Sequence, residues 1–298
     1  MRTMIRAALA AAMIFAAGAA SAEWRPLLTP AEVAARDDAL VIDIRAPKDF
    51  AAGHAPGAVN APYGLWRGPK ENPGRTLSDE ALTELLRSLG VKRERPVVVA
   101  HQGRDASDFG AAARVYWTLK SSGVERIAIL NGGVDGWRAA GLDLSVKPAT
   151  PEPSDIDASL SDRWMIDRAG VADVIAGRRA ARLVDARPLE FFEGRTKHGA
   201  AAKAGTLAGA LNVVHSAWFG EDEHLMVSSP KAAAEIARRA GYGGPLEADE
   251  ELVSFCNTGH WAATNWFALS EIAGIENVKL YPESMVGWTN AGGAVATR

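Results

Sequence analysis

A chain of 298 residues, 48% of them hydrophobic, has ordinary globular composition and is long enough for two domains. Its 33 basic and 36 acidic residues leave a formal net charge of −3 and no basic run, which argues against a nucleic-acid partner. One cysteine, Cys256, excludes an internal disulfide. Six scattered histidines offer no helix-face ligand pair beside it, so no metal is expected.

The chain opens Met1-Arg2-Thr3-Met4-Ile5-Arg6, continues through an alanine-rich apolar stretch and ends that segment on Ala20-Ser21-Ala22. A charged start, a short apolar centre and a small-residue exit predict an export signal over 1–22, cleaved near Ala22, and hence a periplasmic or secreted mature protein. A membrane span needs roughly 20 apolar residues, and no later segment supplies them, so no membrane association is expected after cleavage.

Thr29-Pro30-Ala31-Glu32 combines an N-cap, a first-turn proline and a box-closing glutamate, which predicts a helix start. Ala39 to Arg45 reads as a buried strand ending in Asp43-Ile44-Arg45, followed by Phe50 and by Gly53-His54-Ala55-Pro56-Gly57-Ala58-Val59-Asn60. A second strand, Pro96 to Ala100, runs into a loop at Gly103. A helix over Ala111 to Leu119 follows, then a cap near Gly123, a strand at Ile127 to Leu130 and Trp137.

Lys147-Pro148-Ala149-Thr150-Pro151-Glu152-Pro153-Ser154 reads as a linker, with a boundary near Pro151. The order then repeats. Asp167 opens a helix, Arg182 to Arg187 is a strand ending in Asp185-Ala186-Arg187, and Phe191-Phe192 precede Gly205 to Asn212. Glu251 to Cys256 is the matching second strand, followed by Gly259, a helix over Ala262 to Ile272, Gly274, a strand at Val278 to Tyr281 and Trp288. Strands alternating with helices predict an α/β fold of two similar domains, 23–150 and 151–298. Each is a mainly parallel sheet with helices on both faces.

Cys256-Asn257-Thr258-Gly259-His260-Trp261 joins a strand end to a helix start, the place where open α/β sheets bind ligands. Unpaired loop N–H groups and a helix N-terminus stabilise a thiolate there, in contrast to an inert buried cysteine. The position matching Cys256 in the first half is read as Ala100, which makes the first domain a non-catalytic partner.

The duplicated Asp-x-Arg strand, the Gly53 to Asn60 segment, Leu130-Asn131-Gly132-Gly133-Val134-Asp135-Gly136-Trp137 and the cysteine loop together resemble the tandem-domain rhodaneses, the thiosulfate and mercaptopyruvate sulfurtransferases. The resemblance implies transfer of sulfane sulfur from a small-molecule donor through a Cys256 persulfide to a thiol, cyanide or sulfur-accepting protein, without a cofactor. It also implies Arg187 as the cation that binds an anionic donor, beside Asn257, Thr258, Gly259, His260 and Trp261 as substrate-binding residues.

Alternatives stand at several of these positions. Arg187 is either the donor cation or a salt-bridge partner of Asp185. His260 and Trp261 are either a low-pH cation and a pocket wall, or packing residues. The segment Arg195 to Lys203 either flanks the donor entrance or is a solvated loop. A non-catalytic binding or sulfur-carrier module is the rival to an enzyme. A cysteine phosphatase is disfavoured, because Ala262 stands where an arginine would grip phosphate. Haem attachment fails because Gly259 replaces the second cysteine.

Overall fold

The computed structural model describes residues 23–220, 224–238 and 250–297. The expected signal over 1–22 lies outside them. Among the described residues no helix is long and apolar enough to cross a membrane, and no group of three His, Cys, Asp or Glu side chains is arranged to hold a metal.

The first sheet holds β1 (Leu27–Leu28), β2 (Leu40–Asp43), β3 (Val59–Asn60), β4 (Val97–Ala100) and β5 (Ile127–Leu130), in the order β1-β5-β4-β2-β3. The second holds β6 (Ala181–Asp185), β7 (Leu211–Asn212), β8 (Glu251–Phe255) and β9 (Val278–Leu280), in the order β7-β6-β8-β9. All pairs are parallel. A bridge between Met165 and Leu280 takes the place of β1 in the second sheet. Strands buried on both faces explain why β2, β4 and β5 read as unbroken apolar runs rather than as alternating ones.

The helices of the first half are α1 (Pro30–Ala34), α2 (Pro47–Ala51), α3 (Asp79–Ser88), α4 (Ala106–Ser121) and α5 (Gly133–Ala139). Those of the second are α6 (Arg168–Ile175), α7 (Leu189–Phe192), α8 (Pro230–Ala237), α9 (Trp261–Phe267) and α10 (Ser284–Asn290). The capping box forms as expected: Thr29 N–H donates to Glu32 Oε2 at 2.8 Å and Glu32 N–H to Thr29 Oγ1 at 3.3 Å. Asp167 caps α6 by accepting from Gly170 N–H at 2.8 Å.

Helix α4 begins at Ala106, five residues ahead of the expected Ala111, because Asp105 caps it by accepting from Asp108 N–H at 2.7 Å. Gly110, which discourages a helical reading, is placed inside the helix by contact. A Cβ there would come within 3.0 Å of His260 Nε2, so the missing side chain lets the second domain approach.

α4 and α9 pack against each other across the domain boundary, and one core cluster spans both halves. Phe109 and Tyr116 meet Phe267 edge-on, with centroids at 5.7 and 4.9 Å, and Tyr116 Oη donates to Glu271 at 2.7 Å. The proline-rich segment is not free of the first domain. Ser154 N–H donates to Arg87 O, and Ala158 exchanges hydrogen bonds with Thr83 Oγ1. The two sheets are thus held in one body, with the carboxyl end of β8 facing the seam.

Candidate active site

Cys256 follows the last residue of β8 and is 1% exposed. Its loop is pinned at both ends by one hydroxyl: Cys256 N–H and Gly259 N–H donate to Ser284 Oγ at 3.0 and 3.1 Å, while Ser284 donates to Tyr281 O at 2.8 Å. One donor and two acceptors are all in use. Met285 N–H to Cys256 O and Val286 N–H to Asn257 O, both 3.0 Å, tie the loop to α10. Asn257 and Thr258 lie between the two anchors, so the turn that follows the cysteine is held at both ends. Ser284 adopts φ +50°, the only positive φ among described non-glycine residues, and such a conformation is retained when surrounding contacts over-determine it.

Gly259, at φ +67°, sits where a Cβ would lie 2.3 Å from Arg114 Nη1 and 2.4 Å from Pro282 O. Only glycine fits. His260 is clamped between the domains: Tyr63 Oη donates to Nδ1 at 3.0 Å, and Nε2–H donates to Ser107 O at 2.7 Å. Trp261 Nε1–H donates to Ser107 Oγ at 2.8 Å. Its ring stacks on His215 at 4.6 Å and meets Phe191 edge-on at 6.1 Å. From the first domain, Arg67 donates to Thr258 O at 2.8 Å and to Tyr63 Oη at 2.6 Å, and Arg114 donates to Gly259 O at 3.3 Å.

Arg187 is closed on its own strand. Its Nε and Nη2 grip Asp185 at 2.6–3.1 Å, Nη2 also donates to Gly205 O at 2.8 Å, and Nη1 reaches Asn257 Oδ1 at 3.3 Å. Arg45 does the same with Asp43, Gly53 O and Gln102.

The model of the rhodanese-like domain matches twice, over residues 29–140 and 169–291. The chain belongs to the rhodanese-like domain family. A thiosulfate sulfurtransferase of Corynebacterium glutamicum is 30% identical over 272 residues, covering 87% of this chain and 81% of that one. The structure of SseA from Escherichia coli, described as a 3-mercaptopyruvate sulfotransferase, superposes with a TM-score of 0.72 at 22% identity, covering 87% of this chain and 98% of that one. EanB in complex with ergothioneine superposes with a TM-score of 0.75 at 18% identity; 88% of this chain is covered but only 65% of the longer EanB chain.

Within the two rhodanese-like copies, sheet register corrects one expectation. Asp43 pairs with Ala100 and Asp185 pairs with Phe255, so Ala100 matches Phe255 and the partner of Cys256 is His101. The equivalent arginines agree, since Arg45 reaches Gln102 and Arg187 reaches Asn257. The first-domain loop is filled by its own anion. Asp108 Oδ2 accepts from His101 Nδ1–H at 2.9 Å, Gly103 N–H at 2.6 Å and Arg104 N–H at 3.3 Å, and these bonds hold its carboxyl down to about 2 despite burial.

Of the two alternatives for His260, the low-pH cation is not supported. Burial and the neighbouring Arg67 charge push its pKa down to about 3, so it stays neutral. Burial likewise brings His215 down to about 4. In the segment from Arg195 to Lys203, Lys197 and Lys203 donate to backbone carbonyls of Ala201, Gly292 and Gly293, and Arg195 pairs with Glu193. Burial, with the charges of Arg67 and Lys197, lowers the pKa of His198.

Sequence reasoning missed Ser284, Tyr63, Arg67, Ser107 and Arg114. Ser284 had a signal, because it stands where the repeat has Gly133, itself at φ +58°. The other four lie at least 140 residues before the loop they touch, and no periodicity links them to it. Cavity size is no guide either. A cavity of about 390 Å³ is lined by Tyr63, His101, Arg45 and His260, and a larger one of about 910 Å³ is lined by Tyr281 and Trp288 among others; neither is lined by Cys256.

Proposed function

We propose that the protein is a sulfurtransferase that carries sulfane sulfur on Cys256. The observation that carries this reading is the loop itself: the chain's one thiol stands at the carboxyl end of a parallel strand, on a loop locked at both ends by Ser284, with two first-domain guanidiniums donating to its carbonyls. Such an arrangement stabilises a thiolate and the persulfide made from it.

In the first half-reaction, the Cys256 thiolate attacks the outer sulfur of thiosulfate. The S–S bond of the donor breaks, sulfite leaves with the bonding pair, and the outer sulfur stays on Cys256 as an anionic persulfide. In the second, cyanide attacks the terminal sulfur and leaves as thiocyanate, returning the thiolate; a thiolate acceptor would leave as a persulfide. No proton or external electron is needed in either step. The likeness to the thiosulfate sulfurtransferase of Corynebacterium glutamicum supports thiosulfate as the donor to test first.

Intact mass before and after thiosulfate tests the reading. One added sulfur, removed by cyanide and absent in Cys256→Ser, is expected. Absence of the increment in the wild-type protein overturns it. We also infer export of the mature chain, and N-terminal sequencing of protein from its native host should begin at Glu23.

A further inference from the structure

Among the described residues, the second domain supplies its cysteine loop with no free cation. Asn257 and Thr258 are uncharged, His260 is neutral between Tyr63 and Ser107, and Arg187 is closed on Asp185. The positive charge comes from the other domain. Arg67, half-buried, lies against the Tyr63 ring with its guanidinium carbon 5.1 Å from the centroid, and donates to Thr258 O. Arg114, 1% exposed, stacks on Trp117 at 5.0 Å and donates to Gly259 O and Gly74 O.

Among the described residues neither arginine has a carboxylate within ion-pair distance; every partner given to them is a carbonyl, a phenol or an aromatic ring. Among the described residues Arg114 Nε has no hydrogen-bond partner. Elsewhere the protein pairs its buried arginines carefully, as Arg45 and Arg187 show. A guanidinium withdrawn from water without counter-charge, as Arg114 is, is costly unless an anion visits it, and the half-buried Arg67 beside it has no carboxylate partner either. Burial and the nearby Arg67 lower the Arg114 pKa to about 9, with Tyr63 and Cys256 acting in the opposite sense, so it remains charged at neutral pH. Thiolate and thiosulfate together bring three negative charges to this loop, and the two arginines are the fixed cations that meet them.

We propose that Arg67, on the first domain, binds the anionic end of the sulfur donor, with Arg114 as a fixed positive charge behind the loop, so that donor selectivity resides in the domain that holds no cysteine. This rests on the persulfide reading and adds a residue and a domain to it. It removes donor binding from Arg187.

The test is Arg67→Met and Arg67→Lys, assayed with thiosulfate, 3-mercaptopyruvate and an alkyl hydropersulfide, which has neither sulfonate nor carboxylate and passes its outer sulfur to the Cys256 thiolate as an alkanethiolate leaves. Arg67→Met should raise KM for the anionic donors about 10- to 100-fold, the range for a lost charge-assisted contact, with kcat changed far less. Arg67→Lys should recover part of the loss. The ratio of thiosulfate to hydropersulfide kcat/KM should fall by a similar factor. A greater loss with thiosulfate than with mercaptopyruvate assigns the site to sulfonates, and the reverse to carboxylates.

Equal losses with thiosulfate, mercaptopyruvate and the hydropersulfide would mean that Arg67 only shapes the loop, and would overturn the proposal, as would an unchanged KM. A second measurement needs no turnover: sulfate should slow alkylation of Cys256 in the wild type and not in Arg67→Met. Failure of the wild type to load sulfur from any donor would sink the persulfide reading instead, which keeps the two outcomes apart.

Discussion

Replacing Ser284 by alanine removes the single acceptor shared by Cys256 N–H and Gly259 N–H. Both amides are buried, and an orphaned buried donor costs about 1–3 kcal/mol, so the loss should be roughly 2–5 kcal/mol. A second effect is separable. At φ +50° a Cβ is strained by about 1 kcal/mol relative to glycine, so Ser284→Gly should be less destabilising than Ser284→Ala by about that amount. Both variants lack the hydroxyl. Urea unfolding followed by tryptophan fluorescence reads the stability change, and sulfur loading of Cys256 by intact mass reads the loop. Both variants should load slowly whatever their order of stability. If Ser284→Ala unfolds within about 0.5 kcal/mol of wild type and loads at its rate, the hydroxyl does not organise the loop and the argument from those bonds fails.

Arg187→Met strands Asp185, fully buried and left with Thr206 Oγ1 as its side-chain partner; removing one member of a buried pair costs roughly 3–5 kcal/mol. Arg45→Met should cost about as much, because its geometry is the same, and comparison of urea midpoints checks this; a stable Arg187→Met with only a raised donor KM would return donor binding to that residue. His101→Cys puts a thiol at the position equivalent to Cys256, yet no second sulfur should load, since Asp108 already occupies Gly103 N–H and Arg104 N–H; two added sulfurs by mass would refute this. His260 and His215 have folded pKa values of about 3 and 4 against 6.5 unfolded, so the unfolded chain binds more protons over that interval. Stability should therefore be full above pH 6.5 and fall as pH drops toward 3, by several kcal/mol overall, with Asp108 adding to the loss between about 4 and 2. Thermal midpoints across pH 3–8 measure it, and a flat profile from 6.5 to 4 would contradict the burial of these rings.

The repeat was legible because parallel strands buried on both faces leave unbroken apolar runs, and because Asp43-x-Arg45 and Asp185-x-Arg187 mark equivalent strand ends. Its register at the loop was not. The run Pro96 to Ala100 ends on a small residue and the run Glu251 to Cys256 on the thiol, and matching those ends pairs the wrong residues. Only hydrogen bonding between strands, Asp43 with Ala100 and Asp185 with Phe255, puts His101 opposite Cys256. Asp-x-Arg itself stayed ambiguous for a physical reason: a guanidinium suited to an external anion is equally suited to the carboxylate two residues away, and the nearer one holds it. The cysteine loop was legible as a tight turn between a strand end and a helix start, but the arginines that donate to it were not, because Arg67 and Arg114 come from another fold unit through tertiary contact alone.

The clamp on His260 and Trp261 has a consequence for protein engineering. Ser107 and Gly110, on the first helix to meet the loop, hold the ring and leave room for it, so the thiol's surroundings are assembled from two separately encoded halves. Cutting the chain near residue 150 and expressing the halves from two genes would give fragments of which neither has a complete site, although one still carries the cysteine. Sulfur loading would then report reassociation of the fragments, with a signal that rises with their concentration and vanishes when Gly110 is replaced by a bulky residue. The copy without a thiol acts, in this light, as the template on which its sibling's loop is cast.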